Sequence, residues 1–397
     1  TLTYKSGDHW GPITQHSIIL MVGAVVVVFM HNIPYKWFQV FPVFLLPLSV
    51  VLLGLVMMME RINGAARWMT FMGIQFQPSE VAKMAVIIVT AFILSKGQDE
   101  DGASPKAFKR IMIITGVVCL LIAPENLSTA ALLFGVVFLM MFIGRVAIKK
   151  LLILAGALAG VAIIGVAFLV LTKNSDLPFL HRFDTWRARI EKFTDDTEVP
   201  AAKFDIDKDA QIAHARIAVA TSTSVSSGLS DISLPQAASV KKQAHQAFSD
   251  FIFAIIVEEL GLIGGAFVVF LYVCLLIRVG RIAKKCDRTF PAFLIIGIAL
   301  LLVSQAVFNM MVAVGLAPVT GQPLPLISKG GTSTLINCAY IGMILSVSRY
   351  TAKLEEIKEH DAQIPMQVEA AVEEGNSEIQ TAAEPTAKVL NSDAEFE

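Results

Sequence analysis

Charged side chains are scarce in this chain. They make up 16% of its 397 residues, whereas hydrophobic residues make up 55%. A soluble domain carries about 25% charged residues, because its whole surface is in contact with water. So small a charged fraction argues against an ordinary soluble domain and indicates a surface that faces lipid.

The chain also lacks excess positive charge and any clustering of cysteine. Its net charge is -1, so nothing in the whole-molecule charge favours a polyanion, and nucleic acid is not an expected partner. The four cysteines have no zinc-site spacing, and none lies in the long polar loop where a disulfide could form. We therefore expect no metal ligands among them. They are Cys119, Cys274, Cys286 and Cys338.

Long apolar runs dominate what is present. A helix needs about 20 apolar residues to cross a bilayer, with a range of about 17–25. The sequence predicts an all-α polytopic membrane protein, and within 110–144 we expect a break at Pro124–Glu125–Asn126, because proline ends a helix. The nine predicted transmembrane helices are 14–30, 37–59, 80–95, 110–124, 128–144, 151–172, 255–280, 290–314 and 332–350.

Lysine and arginine predict the orientation of these helices. One set of loops holds 13 of these residues, and the other set, with the N-terminal segment, holds 4. The positive-inside rule makes the first set cytoplasmic, which also places the C-terminus inside and the residues before 14 outside. A chain that starts outside without a signal peptide needs a preceding helix. We therefore expect ten spans in the parent protein, with both ends inside.

Two polar segments interrupt or follow the predicted membrane domain, 1–353. Residues 173–250 form one long outside loop, whose length marks it as functional or partly disordered. Residues 354–397 carry 12 acidic and 2 basic residues. That composition cannot bury a core, so it predicts a disordered acidic cytoplasmic tail.

Three carboxylates stand near the point where the outside loop re-enters the membrane. Asp250 precedes Glu258 and Glu259 by eight and nine residues, and on a helix Asp250 and Glu258 would project within about 80° of each other. A carboxylate at an apolar edge is suited to take a proton from a hydroxyl. The alternative for Asp250 is a helix N-cap, a role that Ser249 could equally fill.

Two predicted helices carry polar residues that lipid would not tolerate. Glu80 and Lys83 can pair at i,i+3 on a helix that starts at Pro78, facing either a functional cavity or a structural partner. Gln305 and Asn309 share one face of the 290–314 span. For them, hydrogen bonding between helices is the favoured interpretation, and substrate binding is the other.

Two further segments could bind anions. In PVTGQPLPLISKGGTS (318–333), Gly330, Gly331 and Ser333 offer N–H groups at a helix N-terminus beside Lys329, where a diphosphate could bind. Simple capping is the alternative. HRFDTWRARIEKF (181–193) predicts a basic amphipathic helix on the outer membrane surface. Its candidates for lipid or phosphate binding are Arg187 and Arg189.

Five motifs, in order, resemble those of the FtsW/RodA (shape, elongation, division and sporulation) family. They are NGAARW (63–68), QPSEVAK (77–83), PENLSTA (124–130), SDFIFAIIVEELG (249–261) and TGQPLPLISKGGTS (320–333). Within the family, PENLSTA, PLPLIS and SKGGTS resemble the division member, FtsW, of Bacteroides relatives more than RodA. The glycine-rich stretch that the family usually has before its aspartate is replaced by a glycine-poor one at 220–243.

The resemblance implies a glycosyltransferase that polymerises lipid II, an undecaprenyl-diphosphate disaccharide-pentapeptide, at the outer face of the cytoplasmic membrane. It maps the catalytic aspartate onto Asp250 and a polar central cavity onto Glu80 and Lys83. Arg67, in NGAARW, joins the substrate-binding candidates. The implied partners are a class B penicillin-binding protein and other division-site membrane proteins.

Three functions stay open from the sequence. The chain is a lipid II polymerase, a flippase for lipid-linked saccharide, or a scaffold that recruits division proteins without catalysis. The resemblance also allows a divalent cation to neutralise diphosphate, although no metal-ligand spacing is present.

Overall fold

Helices dominate the described structure. The computed structural model describes residues 10–58, 69–71, 74–99, 102–171, 251–318, 321–328 and 331–392. Within these ranges the α-helices are α1 (Trp10–Asn32), α2 (Phe41–Met57), α3 (Pro78–Lys96), α4 (Pro105–Ile122), α5 (Leu127–Ile143), α6 (Ile148–Leu171), α7 (Ile252–Lys285), α8 (Thr289–Ala313) and α9 (Gly331–Ser392).

Each predicted transmembrane run coincides with one of these helices. The bounds agree within five residues, except at the end of α9. In the described part of the chain, five helices are long and apolar enough to cross a membrane. The helical membrane fold is confirmed, and the count of nine crossings stays a prediction. The five are Pro78–Lys96, Ile148–Gly165, Glu259–Lys285, Thr289–Ala313 and Gly331–Asp361.

Local sequence signals account for several helix ends. Pro78 occupies the first turn of α3, where its missing N–H costs no hydrogen bond. The predicted break is confirmed, because α4 ends at Ile122 and α5 begins at Leu127. Asn126 caps α5 by accepting a hydrogen bond from the Thr129 backbone N–H at 3.2 Å.

The predicted continuous helix over 255–280 is wrong at one residue. Within α7, Gly261 has φ 70° and ψ -176°, which is not helical, so α7 consists of two helical segments joined by a kink. A side chain would strain this backbone, and glycine adopts it freely. The kink lies two residues after Glu259, the second carboxylate of the pair in that motif.

One end of the bundle gathers the basic loops; we call it the basic end. A short hairpin pairs Gln98–Asp99 with Gly102–Ala103. Gln98 Nε2 donates to the Gly144 carbonyl at 2.8 Å, and Ala103 N–H donates to the Arg145 carbonyl at 3.1 Å. The loops that follow α3 and α5 therefore lie together, as the orientation argument predicts.

A second set of contacts extends the basic end to α6 and α8. Thr289 Oγ1 donates to the Ser95 carbonyl at 3.4 Å, and Lys150 Nζ lies 5.6 Å from the ring centre of Phe108. Beside Thr289, burial and the neighbouring Asp287 raise the pKa of Cys286 to about 11. That thiol therefore stays protonated and unreactive at neutral pH.

Packing in the bundle is centred on α3 and α8. Ile87, Ile88 and Leu294 are fully buried. A Cβ atom added at Gly297 of α8 would lie 3.0 Å from Ile87 Cγ2 and 2.6 Å from Met140 Cε, so α8 approaches both α3 and α5 closely there. In the part of the chain that the structure describes, two short antiparallel hairpins accompany the helices: Met69–Phe71 with Ile74–Phe76, and the one at the basic end.

The chain divides into two units, Thr1–Val347 and Ser348–Glu397. In the second unit α9 continues as a helix to Ser392, where the sequence predicts a disordered tail from 354. Alanine and glutamate, abundant there, favour helix by intrinsic propensity, and a single helix needs no packed core. The domain boundary near 353 and the cytoplasmic location of the tail stay predictions.

Candidate functional site

Buried polar side chains concentrate at the end of the bundle opposite the basic end. They come from the first turns of α3 and α5, the last turns of α8, the segment 321–328 and the first turns of α9. We call them the polar core, and each is at most 5% exposed. Its members are Glu80, Lys83, Thr129, Gln305, Asn309, Gln322, Ser328, Ser333, Asn337 and Tyr340.

The predicted i,i+3 ion pair of α3 is confirmed. Lys83 Nζ lies 2.8 Å from Glu80 Oε1, and the two side chains are 0% and 3% exposed. Among the described residues Lys83 Nζ has no further hydrogen-bond partner. A buried pair of this kind loses much of its attraction to desolvation, so its presence in an apolar helix is poorly explained by stability alone.

Gln322 links three parts of the polar core. Its side-chain Nε2 donates to Thr129 Oγ1, which ties the segment before α9 to α5. Asn309 Nδ2 donates to the Gln322 carbonyl at 2.8 Å, and Gln305 Nε2 lies 3.4 Å from Gln322 Oε1. These contacts support the structural interpretation of Gln305 and Asn309.

The segment 321–328 is close-packed, as its prolines predict. Leu324 is 1% exposed, and its backbone N–H donates to Ser328 Oγ at 2.8 Å. Tyr272 of α7 donates its hydroxyl hydrogen to the Pro325 carbonyl at 2.5 Å. The segment is therefore held against α5, α7 and α8, directly before the residues for which the sequence predicts anion binding.

The ion pair and the glutamine–asparagine face lie at similar depth. α3 and α8 run antiparallel, because Ser95 and Thr289 meet at the basic end. From the close contact of Ile87 with Gly297, Glu80 lies two turns along α3 and Gln305 about two turns along α8. Glu80 returns to within about 20° of the face of Ile87, and Gln305 to within about 80° of the face of Gly297, so the structure brings the two predicted polar groups to similar depth in one part of the bundle.

The start of α7 adjoins this region. Phe251 is the N-cap residue of α7 and is 7% exposed. It belongs to one apolar cluster with Ala306 and Leu324. Ala306 follows Gln305 in the chain, and Leu324 lies two residues after Gln322. The N-cap residue Phe251 carries no side-chain hydrogen bond, and the capping alternative for Asp250 stays a prediction, because Asp250 lies outside the described residues.

Several predicted site residues lie outside the described residues. Of the others, Glu259 is exposed and does not join the polar core, and Glu258 lies in α7 with its side chain outside the description. Gly331 begins α9 and is exposed, whereas Ser333 is buried. Those not described are Arg67, Arg187, Arg189, Asp250, Lys329 and Gly330.

Sequence reasoning missed five members of the polar core: Thr129, Gln322, Ser328, Asn337 and Tyr340. The first two stand in motifs that were noticed for other reasons, PENLSTA and TGQPLPLIS. Uncharged polar residues in apolar runs are common in membrane helices, so they give little signal individually. Within the described ranges there is no group of three His, Cys, Asp or Glu side chains able to hold a metal ion.

Comparison with known proteins places the chain among cell-envelope proteins. The family model FtsW/RodA/SpoVE, described as "Cell cycle protein", matches residues 2–353. A protein of Geobacter sp. (strain M18) is 32% identical over 287 residues, 72% of each chain. One of Halomonas elongata is 30% identical over 355 residues, 87% of this chain and 83% of its own. Both are named "Probable peptidoglycan glycosyltransferase FtsW".

Solved structures share the fold. A chain from "Structural coordination of polymerization and crosslinking by a peptidoglycan synthase complex" has a TM-score of 0.68 and 25% identity, covering 88% of this chain and 93% of its own. The rod shape determining protein RodA of Thermus thermophilus has a TM-score of 0.56 and 23% identity, covering 84% and 86%. The second similarity concerns the fold alone.

Proposed function

The chain belongs to the FtsW/RodA/SpoVE family of cell cycle proteins, and we propose that it polymerises lipid II into glycan strands with Asp250 as general base. It is a multi-pass membrane protein and a peptidoglycan glycosyltransferase, the activity for which its relatives are named. The substrate, the catalytic residue and the side of the membrane are the parts that we propose.

The observation that carries the proposal is the packing of Phe251. This residue is buried with Ala306 and Leu324, next to the polar core. Asp250 directly precedes it in the chain, and in our proposal its carboxylate faces that region. A base at the polar end of the bundle could meet a sugar whose lipid anchor stays in the membrane.

The reaction needs one base and a stabilised leaving group. Asp250 takes the proton from the acceptor sugar hydroxyl, and the oxygen of that hydroxyl bonds to the anomeric carbon of the donor. The bond from that carbon to the diphosphate oxygen breaks, and undecaprenyl diphosphate leaves with both electrons. The donors that we propose for the diphosphate are Arg67, Arg187, Arg189, Lys329, Gly330, Gly331 and Ser333.

The ion pair of α3 has a separate role in this proposal. Glu80 and Lys83 are buried at the depth of Gln305, where a polar head group would need hydrogen-bonding partners. Glu258 and Glu259 are the other candidates for saccharide contact; Glu259 is exposed, which suits a ligand arriving from outside the bundle.

Location and partners follow from the same proposal. We place the polar core on the periplasmic side of the bacterial inner membrane and the C-terminus in the cytoplasm, because the basic end collects the lysines and arginines of the loops. A structural relative is part of a complex that couples polymerization and crosslinking. We therefore propose a class B penicillin-binding protein and other divisome membrane proteins as partners at the septum.

A strand assay with Asp250→Ala tests the proposal. The purified chain is combined with its class B partner and fluorescent lipid II, and the products are separated on a gel. We expect strands from the wild type and none from Asp250→Ala, with labelled lipid II still bound by both. Equal strand formation by the variant would contradict the assignment of the base.

The same preparation distinguishes the two alternatives. In liposomes, a flippase would expose labelled lipid II to an external quencher and would form no strands. A scaffold would do neither, yet would still retain the partner. A wild-type chain that flips or recruits without polymerising would overturn the proposed reaction.

A further inference from the structure

The second segment of α7 ends in a row of cations. After the kink at Gly261, residues 262–285 contain no acidic residue, and Arg278, Arg281 and Lys284 follow one another at three-residue spacing. All three side chains are exposed. Among the described residues, no carboxylate forms an ion pair with any of the three. We call these three residues the α7 cation stripe.

The neighbouring helix offers the α7 cation stripe no counter-ion. α8 packs against α7, since Val268 and Tyr272 of α7 share one apolar cluster with Ala306 and Val312 of α8. Residues 289–313, the whole of α8, contain no charged side chain. From 262 to 313 the sequence has five basic residues and one acidic residue, Asp287. The negative charge that balances the stripe therefore has to come from outside these two helices.

The α7 cation stripe extends onto the side of the helix that faces away from the bundle. Tyr272 and Val279 are 7% and 1% exposed, and they mark the side of α7 that packs inward. Arg281 lies about 160° from Val279 around the helix. Ile277 and Phe270 lie within about 40° of Arg281 and are 51% and 57% exposed. Apolar outer surface thus continues directly into the stripe.

The depth of the stripe matches the head-group layer of a bilayer. The helical stretch Glu259–Lys285 is long and apolar enough to cross a membrane. Glu259 and Arg278, the charges at the two ends of its apolar run, are 19 residues apart, about 28 Å along a helix. A hydrocarbon core is about 30 Å thick, and the head-group layer on each side adds about 5–7 Å. Arg278 therefore stands at the edge of the core, and Arg281 stands about 4.5 Å further out, among the head groups.

We propose that the α7 cation stripe binds the head group of an anionic phospholipid, whose acyl chains lie on Ile277 and Phe270. An arginine guanidinium can donate to two phosphate oxygens at once, and lipid phosphate is the anion that a bilayer supplies at this depth. A zwitterionic lipid brings its own ammonium group, so its net attraction to the stripe is weaker. The lipid belongs to the leaflet at the basic end, opposite the polar core, and the proposal does not depend on the proposed reaction.

Native mass spectrometry of the full chain tests the site. The protein in detergent receives equal amounts of phosphatidylglycerol and phosphatidylcholine with identical acyl chains, so that the two lipids differ only in the head group. We expect the wild type to bind phosphatidylglycerol at least about tenfold more tightly. Arg278→Gln with Arg281→Gln should lose most of this preference, because each cation near a head group contributes about fivefold. Equal retention of the two lipids by the wild type would overturn the proposal.

A second pair of cations controls for charge alone. Lys109→Gln with Arg110→Gln removes two exposed cations from α4, also at the basic end, and changes the net charge by the same amount. This variant should keep the preference for phosphatidylglycerol. An equal loss in both double variants would show a general attraction to a cationic surface, which would contradict a site on α7.

Thermal unfolding checks that the variants are folded. Phosphatidylglycerol should raise the unfolding midpoint of the wild type more than phosphatidylcholine does, because a bound lipid stabilises the folded state. The Arg278/Arg281 double variant should match the wild type in phosphatidylcholine and show no additional rise in phosphatidylglycerol. If the double variant does not fold, Lys284→Gln decides, with an expected loss of about fivefold in the preference. An unchanged preference in Lys284→Gln would then overturn the proposal.

Competition with a soluble phosphate identifies the occupant. Glycerol 3-phosphate has a phosphate group like that of the lipid but no acyl chains. At a hundredfold excess over phosphatidylglycerol we expect it to leave the bound lipid in place, because the chains contribute through Ile277 and Phe270. Displacement would show a site for dissolved phosphate and would contradict a lipid as the ligand.

Discussion

Helices α3 and α6 are both apolar and long enough to cross a membrane, yet they occupy opposite environments. In α3, 78% of the membrane-length window is buried inside the protein, compared with 6% for Ile148–Gly165 of α6. The more buried helix has the lower mean hydropathy of the two. Both helices carry charged residues, but Glu80 and Lys83 of α3 are buried as an ion pair, whereas Lys149 is exposed in the first turn of α6. In this pair of helices, then, it is the buried charged pair that marks the interior one.

The physical reason is the solvent. Lipid tails are as apolar as leucine, so burying an apolar side chain between helices gains little over leaving it in lipid. A charge, by contrast, is expensive in lipid and must face protein or water. Helix α3 is therefore held inside by its polar residues and by close packing, and α6 is free to present its apolar surface to lipid.

Breaking the ion pair should give the largest contrast between the two helices. Lys83→Met leaves the Glu80 carboxylate buried without its cation, which we expect to destabilise the protein by about 3–5 kcal/mol. The matched control is Lys149→Met at the exposed start of α6, which should change the free energy of unfolding by less than about 0.5 kcal/mol. Denaturant titration in bicelles measures both.

A double variant separates stability from function. Glu80→Leu with Lys83→Met removes both charges, so it should recover much of the stability that Lys83→Met alone loses. Under the proposed function the double variant should form no strands, because it lacks the two charged side chains that we propose contact the substrate. A double variant as unstable as Lys83→Met would show that the cost does not come from an unpaired charge.

Truncating one isoleucine on each helix should give an intermediate contrast. Ile87 of α3 is fully buried, whereas Ile153 of α6 is 72% exposed. Ile87→Ala should lower the free energy of unfolding by about 2 kcal/mol, at the low end for a core truncation. The truncation leaves a cavity, but the transfer term is small because the alternative environment is lipid rather than water. Ile153→Ala should be close to neutral, since lipid fills the space. Equal losses in the same titration would remove the distinction between the two environments.

Adding one methyl group should give the smallest contrast, with opposite signs. Gly342→Ala on α9 would place a Cβ atom 2.8 Å from the Val27 backbone oxygen, which cannot move aside easily. We expect a loss of about 1 kcal/mol. Gly156 of α6 has open space around it, so Gly156→Ala should be neutral or stabilising by up to about 1 kcal/mol. Unfolding midpoints of the two variants check both signs.

Much of the fold could be predicted because apolar runs and prolines act locally. The helix starts at Pro78 and Leu127 and the Glu80–Lys83 pair depend on neighbours within a few residues. The kink at Gly261 could not be predicted, since a glycine in an apolar run fits a straight helix equally well. The helix beyond 353 was missed because charge composition was given more weight than intrinsic helix propensity.

The polar core was only partly predictable. Gln322 bonds to Thr129, which lies 193 residues earlier in the chain. The spacing of residues within one helix cannot predict a contact between positions so far apart in sequence. The proximity of Phe251 to the polar core likewise depends on its packing with Ala306 and Leu324. Long-range contacts of this kind are set by the whole bundle, so they need the structure.

Strand formation by the wild-type chain is the measurement that bears most directly on the central claim. The chain is supplied with labelled lipid II and a class B partner whose crosslinking serine has been substituted, so that this chain alone can join sugars. The account predicts uncrosslinked glycan strands on the gel. Labelled lipid II that stays monomeric, with the complex intact, would contradict it.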